Sequence, residues 1–298
     1  MPEFPDIELY LHALRPRVQG HALRKIRLAS PFLLRTVAPA VEDVEGRQVT
    51  GLRRLGKRIV FCLEDQFFVV LHLMIAGRLQ WKPIGAKPPG KVGLAAFDFD
   101  SGTLILTEAG SKRRASLYLV AGEEQLAKHD PGGIEILETN LAQFRRALQA
   151  ENHTLKRVLA DPRVFAAIGN AYSDEILHAA RLSPLALSQR LGDDETARLL
   201  DAIRTTLRGW RDRLIAETGD RFPAKVTAFR EGMAVHGRFG QPCPACGTAV
   251  QRIRYADNET NYCPRCQTEG KVLRDRSLSR LLRDDWPKSI EELEERGR

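Results

Sequence analysis

Long apolar runs are missing from this sequence. No stretch approaches the roughly 18–20 consecutive apolar residues of a membrane-spanning helix, so a helical membrane protein is not expected. The first residues also lack the basic-then-apolar order of a secretory signal, which places the chain in the cytosol as an expectation. Internal repeats and low-complexity tracts are absent. Cysteine is scarce, with five among 298 residues, and nothing else points to an oxidising compartment, so a disulfide framework has no support. Acids are missing from "GLRRLGKRIV", which carries Arg53, Arg54, Lys57 and Arg58, and from "GSKRRAS", which carries Lys112, Arg113 and Arg114.

What is present describes a globular protein. The hydrophobic share of 43% and the charged share of 28% suit packed cores, and the length suffices for two domains of ordinary size. A net charge of +8 (46 Lys and Arg against 38 Asp and Glu) favours a polyanionic partner without choosing between nucleic acid and a membrane surface.

The opening "MPEFPDIE" allows two readings. Pro2 is small enough for removal of the initiator Met, and Pro5 then starts a helix, because its fixed φ suits a first turn. Alternatively, removal of Met1 turns Pro2 into a terminal secondary amine, a nucleophile where every other backbone nitrogen is an amide. Ile7, Tyr10, Leu11, Leu14 and Val18 then share one helical face, with Pro16 expected to kink or end the helix.

Seven strands are expected next, in "ALRKIRLA", "RQVTGLRRL", "RIVFCLE", "FFVVLHLMIA", "LAAFDFD", "TLILTE" and "ASLYLV", which suggests a β-sandwich or barrel over residues 1–123. The stretch "AGEEQLAKHDPGG" reads as a linker. Helical spacing takes over in "NLAQFRRALQAE", "HTLKRVLAD", "SDEILHAARL" and "DDETARLLDAIRTTLRGWRDRLIAET", giving a helical domain over 124–237. A cysteine-bearing unit over 238–267 and a helical extension over 268–298 follow, the latter with Leu278, Leu281, Leu282 and Trp286 on one side.

Cys243, Cys246, Cys263 and Cys266 form two CxxC pairs separated by 16 residues, the spacing of a four-thiolate structural zinc site closed by a hairpin. All four positions belong to the protein, so the expected ion holds the fold and leaves no place for substrate. The hairpin 247–262 carries Arg252, Arg254, Tyr255 and Asn258, a composition suited to a nucleic-acid backbone or to a plain protein contact. Cys62, in an apolar strand, reads as a core thiol. In "VFAAIGNAYSDEILHAARLSP", Asn170 after Gly169 is either a turn residue or, with Lys156 and Arg157 upstream, part of a phosphate-binding helical hairpin.

In that order, the Pro-Glu terminus, the lysine-bearing β-rich half, the Gly-Asn helical turn and the four-cysteine ribbon resemble the formamidopyrimidine-DNA glycosylase and endonuclease VIII family over residues 1 to 267. "MPEFPDIE" is similar to the family's Pro-Glu-Leu-Pro-Glu-Val-Glu, "RRLGKRIVF" to its lysine-bearing strand pair, "IGNAYSDEILHAARLSP" to its helix-two-turns-helix element, and "VHGRFGQPCPACG" with "YCPRCQ" to its zinc finger. The implied fold is α+β and multidomain: an N-terminal helix plus β-sandwich, a helix-two-turns-helix domain and a C-terminal four-cysteine zinc finger. The implied protein is a monomeric, cytoplasmic, nucleoid-associated DNA glycosylase and AP lyase with one structural Zn2+, acting on double-stranded DNA that contains oxidised bases or abasic sites.

The resemblance also implies roles. Pro2 attacks C1′ and expels the base, leaving an iminium on the sugar, and Glu3 moves the protons. Lys57 holds phosphate and assists elimination. His72, Lys156 and Asn170 lie against the DNA backbone, and Glu8 matches the family's third carboxylate. Four departures stand out. Asp6 replaces a glutamate. In "HLMIAG", Ile75 aligns with the apolar wedge while Met74 stands where the family has glycine, and either side chain could be the wedge. Arg113 and Arg114 match the Arg-Arg of the family's Arg-Arg-Phe-Gly turn, but Ala115 replaces the phenylalanine. Asn258 stands where the family has a phosphate-gripping arginine, which leaves Arg252 or Arg254 to reach in. Two rival readings remain: a damaged-DNA binding protein of the same fold with weak or no catalysis, and a zinc-ribbon factor of transcription or translation. The second leaves Pro2-Glu3 and "GNAYSDE" unexplained.

Overall fold

Helix α1 (Phe4–Val18) forms because Pro5 fits its first turn and the Asp6 carboxylate accepts the Glu3 N–H at 2.9 Å, capping the helix. Ile7, Tyr10, Leu11, Leu14 and Val18 are all buried on one face, as their spacing predicts. Pro16 does not end the helix at its own position. It lies in the last turn, where its missing N–H costs a single bond, and the Gln19 N–H closes the end on the Arg15 carbonyl at 3.1 Å.

The computed structural model describes residues 1–110, 112–255, 258–275 and 286–296, which divide into two compact units. The first unit comprises 1–131 and 209–228, and the second 132–208 and 229–298. In the first unit, α1 lies with strands β1 (Leu23–Leu28), β2 (Val49–Leu55), β3 (Arg58–Leu63), β4 (Phe67–His72), β5 (Gly77–Lys82), β6 (Gly93–Phe99), β7 (Gly102–Glu108) and β8 (Ser116–Ala121). These make two four-stranded antiparallel sheets, in the orders β1-β6-β7-β5 and β2-β3-β4-β8. Short helices α2 (Val41–Val44) and α3 (Glu123–Ala127) complete the connections, the latter inside the expected linker.

The described strands of the first unit number eight where seven were expected, because β5 was hidden. Only Leu79 of its side chains is fully buried apart from Gly77, and Arg78, Gln80 and Lys82 dilute the apolar signal. Strand β4 stops at His72 rather than running to Ala76, since the chain turns so that the Gly77 N–H reaches the Leu73 carbonyl at 2.9 Å.

The second unit contains α4 (Leu141–Gln149), α5 (Leu155–Ala160), α6 (Asn170–Ala179), the first part of α7 (Asp193–Thr218), the hairpin β9 (Gln251–Tyr255) and β10 (Asn258–Tyr262), α8 (Pro264–Thr268) and α9 (Ile290–Arg296). Asn140 and Gln143 cap α4 reciprocally, at 2.9 and 3.0 Å. Residues 209–228, assigned from sequence to the helical domain, belong instead to the first unit. A 26-residue helix is about 39 Å long, so its ends can bury in different cores. Leu214 and Val226 enter the sandwich core, and the Phe222 ring lies 6.0 Å from that of Tyr10. The expected stripe of Leu278, Leu281 and Leu282 lies outside the described residues, whereas Trp286 is buried.

Candidate active site and nucleic-acid interface

In the first unit, the chain terminus, a carboxylate and a lysine converge. Pro2 is buried, and Glu3 precedes the first turn of α1 with only 2% of its surface exposed. Lys57 follows Gly56, whose φ of +56° serves the tight two-residue turn between β2 and β3 without a Cβ penalty. The Lys57 side chain is 7% exposed. Burial pushes its pKa down from the ordinary lysine value, and the nearby Glu3 carboxylate opposes that shift. Burial likewise lowers the pKa of the terminal ammonium, here that of Met1, which feels the charges of Glu3, Arg78, Asp6 and Lys57. Sequence reading missed Arg78, which holds the neighbouring turn by donating to the carbonyls of Ile75 at 3.2 Å and Gly77 at 2.7 Å.

The carboxylates of α1 have separate tasks. Asp6 caps the helix, and this local role suits its short side chain. Glu8 pairs with Arg54 at 2.9 Å, and the Arg54 guanidinium lies 4.8 Å from the Phe4 ring centroid, tying α1 to β2. His72 ends β4 opposite Arg58. Burial, then the charges of Arg58 and Lys57, lower its pKa to about 4, so at neutral pH it is an uncharged imidazole rather than a cation.

The two wedge candidates differ in conformation and exposure within the turn 73–77. Met74 is half-buried with φ +50°, a left-handed conformation that glycine adopts freely, whereas Ile75 is 58% exposed at the apex. Arg113 and Arg114 are both exposed, and Arg113 donates to the Lys91 carbonyl. Their loop is fixed by Glu108, whose buried carboxylate accepts the N–H groups of Arg114 at 2.9 Å and Ala115 at 3.0 Å. Nothing in the sequence pattern of β7 singled Glu108 out.

In the second unit, Lys156 is not a free cation. Its ammonium donates to the Asn170 carbonyl at 2.6 Å, Ser173 Oγ at 2.8 Å and Asp174 Oδ1 at 2.5 Å, while Asp174 Oδ2 meets His236 Nδ1 at 2.8 Å. Lys156 therefore fixes the N-terminus of α6, and Arg157 beside it remains exposed. Glu175 accepts three backbone N–H groups, from Ala234, Val235 and His236, at 2.7 to 2.9 Å, which binds the segment leading to the cysteines onto α6. Adjacent acids in an apolar helix were the available signal for Asp174 and Glu175. Asn170 opens α6 and donates from Nδ2 to the Glu259 carbonyl at 3.1 Å, so helix and zinc hairpin meet at this residue.

The four thiols of Cys243, Cys246, Cys263 and Cys266 lie within 4.8 Å of one another, with Sγ separations of 4.0 Å (Cys243 to Cys266) and 3.4 Å (Cys246 to Cys263). Tetrahedral zinc with Zn–S bonds near 2.3 Å needs S···S edges of about 3.8 Å, so the donor set fits one structural Zn2+. His178 Nε2, 3.2 Å from Cys243 Sγ, anchors one ligand to α6 and was not foreseen. On the hairpin, Arg252 stacks over Phe239 at 4.1 Å and pairs with Glu259 at 3.4 Å, whereas Arg254 and Asn258 are exposed.

Comparison with known proteins agrees with this geometry. Three family models match in order: the formamidopyrimidine-DNA glycosylase N-terminal domain over residues 1–114, its H2TH domain over 134–210, and the zinc finger found in FPG and IleRS over 240–268. The formamidopyrimidine-DNA glycosylase of Thermus thermophilus is 34% identical over 281 residues, covering 91% of this chain and all of the relative. That of Heliobacterium modesticaldum is 32% identical over 277 residues, covering 90% and 100%. The crystal structure of the Thermus thermophilus MutM (FPG) protein superposes with a TM-score of 0.74 at 31% identity, covering 89% of this chain and 98% of that one. Lactococcus lactis Fpg, solved with DNA containing an abasic site, shares the fold at a TM-score of 0.78 and 23% identity, covering 89% and 99%. No helix among the described residues is long and apolar enough to cross a membrane. With domain models matched along most of its length and relatives above 30% identity covered end to end, the chain belongs to the formamidopyrimidine-DNA glycosylase family.

Proposed function

We propose that this protein is a bifunctional DNA glycosylase and AP lyase of base excision repair, working in the cytoplasm on the nucleoid as a monomer. The observation that carries this reading is the convergence of Pro2, Glu3 and Lys57 at one buried terminus. Once Met1 is removed, the Pro2 nitrogen bonds to C1′ of the damaged nucleoside as the glycosidic bond breaks, and the base leaves with a proton. Loss of the amine proton and opening of the C1′–O4′ bond, with O4′ taking up a proton, then give an iminium that a secondary amine cannot turn into a neutral imine, an electron sink for the later elimination of the 3′ phosphate. Glu3 is suited to deliver and recover protons, and a lysine held below its ordinary pKa beside it gives up its proton more readily than a free lysine. Turning the damaged nucleotide out of the stack costs a few kcal/mol, less for a lesion, and Ile75 is the exposed apolar side chain suited to fill the gap. Arg113 is suited to the strand opposite, and His72, Asn170, Arg254 and Asn258 to the phosphates.

The test is to incubate the protein, with loss of Met1 checked by intact mass, with duplexes carrying an abasic site or an oxidised base, and add borohydride. A covalent adduct is expected on both duplexes, and its absence from both overturns the catalytic reading. Replacement of the family arginine by Asn258, with Lys156 already bonded within its own unit, favours a second reading: a lesion-binding protein with slight catalysis. Lesion-selective binding without an adduct is its signature.

A further inference from the structure

The turn that presents Ile75 is held by backbone on one side and by a guanidinium on the other. The Gly77 N–H closes it on the Leu73 carbonyl at 2.9 Å, and a Cβ at residue 77 would lie 2.3 Å from that carbonyl oxygen, so only glycine lets the turn close this tightly. Gly77 and Arg78 then enter β5 opposite Glu108 and Thr107 of β7. Leu79 packs into the core, which puts Arg78 on the other face of the strand, and its side chain folds back onto the turn. Arg78 Nη1 donates to the Ile75 carbonyl at 3.2 Å and to the Gly77 carbonyl at 2.7 Å, one from the apex residue and one from the residue that closes the turn.

Both bonds come from one nitrogen, and Nε and Nη2 of Arg78 take no acceptor among the described residues. No carboxylate among those residues pairs with it either, whereas Arg54 on β2 is paired with Glu8. The terminal amine lies close enough to feel that charge. Glu3 and Asp6, at the start of α1, favour the ammonium, while Lys57 from the β2–β3 turn and Arg78 from β5 oppose it. Of the two cations Arg78 acts the more strongly, and burial works in the same direction as both. Loss of Met1 moves the amine by one residue, to a nitrogen on a buried proline.

We infer that Arg78 is a positioning residue for the reaction: it fixes the backbone that presents Ile75 and sets an unpaired positive charge beside the nucleophilic terminus. The inference deepens the proposed reading of the chain and rests on it for the roles of Ile75 and Pro2. An apolar side chain enters a base stack more readily from a turn already held in one shape, because the ordering entropy was lost on folding. A permanent cation near an amine favours its neutral, nucleophilic form, and an arginine keeps its charge across the whole working range of pH. One side chain therefore serves both the wedge and the nucleophile.

The experiment uses the full-length zinc-bound protein with Met1 removed, as the parent and as Arg78→Met and Arg78→Lys. With 13C-labelled proline, the Pro2 Cα shift is followed by NMR between pH 5 and 9 without DNA. Arg78→Met should raise the midpoint by about 0.5 unit, and Arg78→Lys, which keeps a charge over this range, should leave it in place. Wedge insertion is read separately, as the fluorescence of 2-aminopurine placed beside a tetrahydrofuran abasic-site analogue in a duplex at saturating protein. Ile75→Ala should lower the unstacking signal, Arg78→Met should lower it about twofold, and adding Arg78→Met to Ile75→Ala should lower it no further. An unmoved midpoint in Arg78→Met, or one that moves equally in Arg78→Lys, overturns the charge role. A full 2-aminopurine signal in Arg78→Met, or a further loss in the double variant, overturns the hold on the turn. Neither readout needs a bond to break, so both decide the inference even where borohydride trapping by the parent protein, which tests the broader reading, fails.

Discussion

In the proposed mechanism Pro2 depends on one covalent event, the removal of Met1, and on the solvation of the nitrogen which that event would expose. The Met1 ammonium is already pushed below its ordinary value by burial, and Pro2 is more buried than Met1. A lowered pKa leaves more neutral amine at a given pH, so the borohydride trapping rate should rise with pH and level off with a midpoint below the usual α-amino value of about 8. Single-turnover trapping between pH 5 and 9 checks this, and Pro2→Gly should trap more slowly across the range. His72 provides a second titration of opposite consequence. Its folded pKa of about 4 lies below the unfolded value near 6.5, so the unfolded chain binds the extra proton between them, and stability falls as pH drops through that window. The loss should reach about 2 kcal/mol at pH 5, and urea midpoints for the protein and His72→Gln at pH 7 and 5 should show the variant losing less.

At the scale of elements, the turn after β4 and the start of α6 carry the local conflicts. Met74 occupies a left-handed backbone region that glycine takes freely, and Ile75 is exposed beside it. Met74→Gly should therefore stabilise the first unit by up to about 1 kcal/mol in thermal unfolding. Ile75→Ala should leave the melting temperature in place while lowering excision of an oxidised base, measured by single-turnover glycosylase assay. Helix α6 binds the chain entering the zinc finger through Glu175. Glu175→Ala strands three backbone N–H groups and should cost about 3 kcal/mol or more, with amide exchange at 234–236 reporting the opening. The α1 face, α4 and α7 were legible because period and caps are local. Strand β5 was not, because half-covered positions along it tolerate Arg78 and Gln80 and its exposed end carries Lys82.

For the whole molecule, the zinc finger is the small part that depends on its metal, since a two-stranded hairpin has little core of its own. Chelation should free the hairpin, abolish lesion binding in a gel-shift assay, and leave far-UV circular dichroism nearly unchanged, because the sandwich and the helices of the second unit have separate apolar cores. Collapse of the whole helical signal would show instead that His178 and Glu175 transmit the loss into α6.

The sequence by itself determined the four zinc ligands, the α1 face, the mixed sheet-and-helix fold class and the Pro-Glu opening, because each is written in short spacings or in the chain's order. Only the tertiary structure decided which charges are available. Lys156 and Arg252 read as free cations but are bonded by Asp174 and Glu259, groups 18 and 7 residues away in the chain. Arg254 stays exposed, and Glu108, Asp174 and Glu175 hold loops that no local pattern marks. A side chain's partners depend on which segments pack beside it, and a linear pattern does not carry that information.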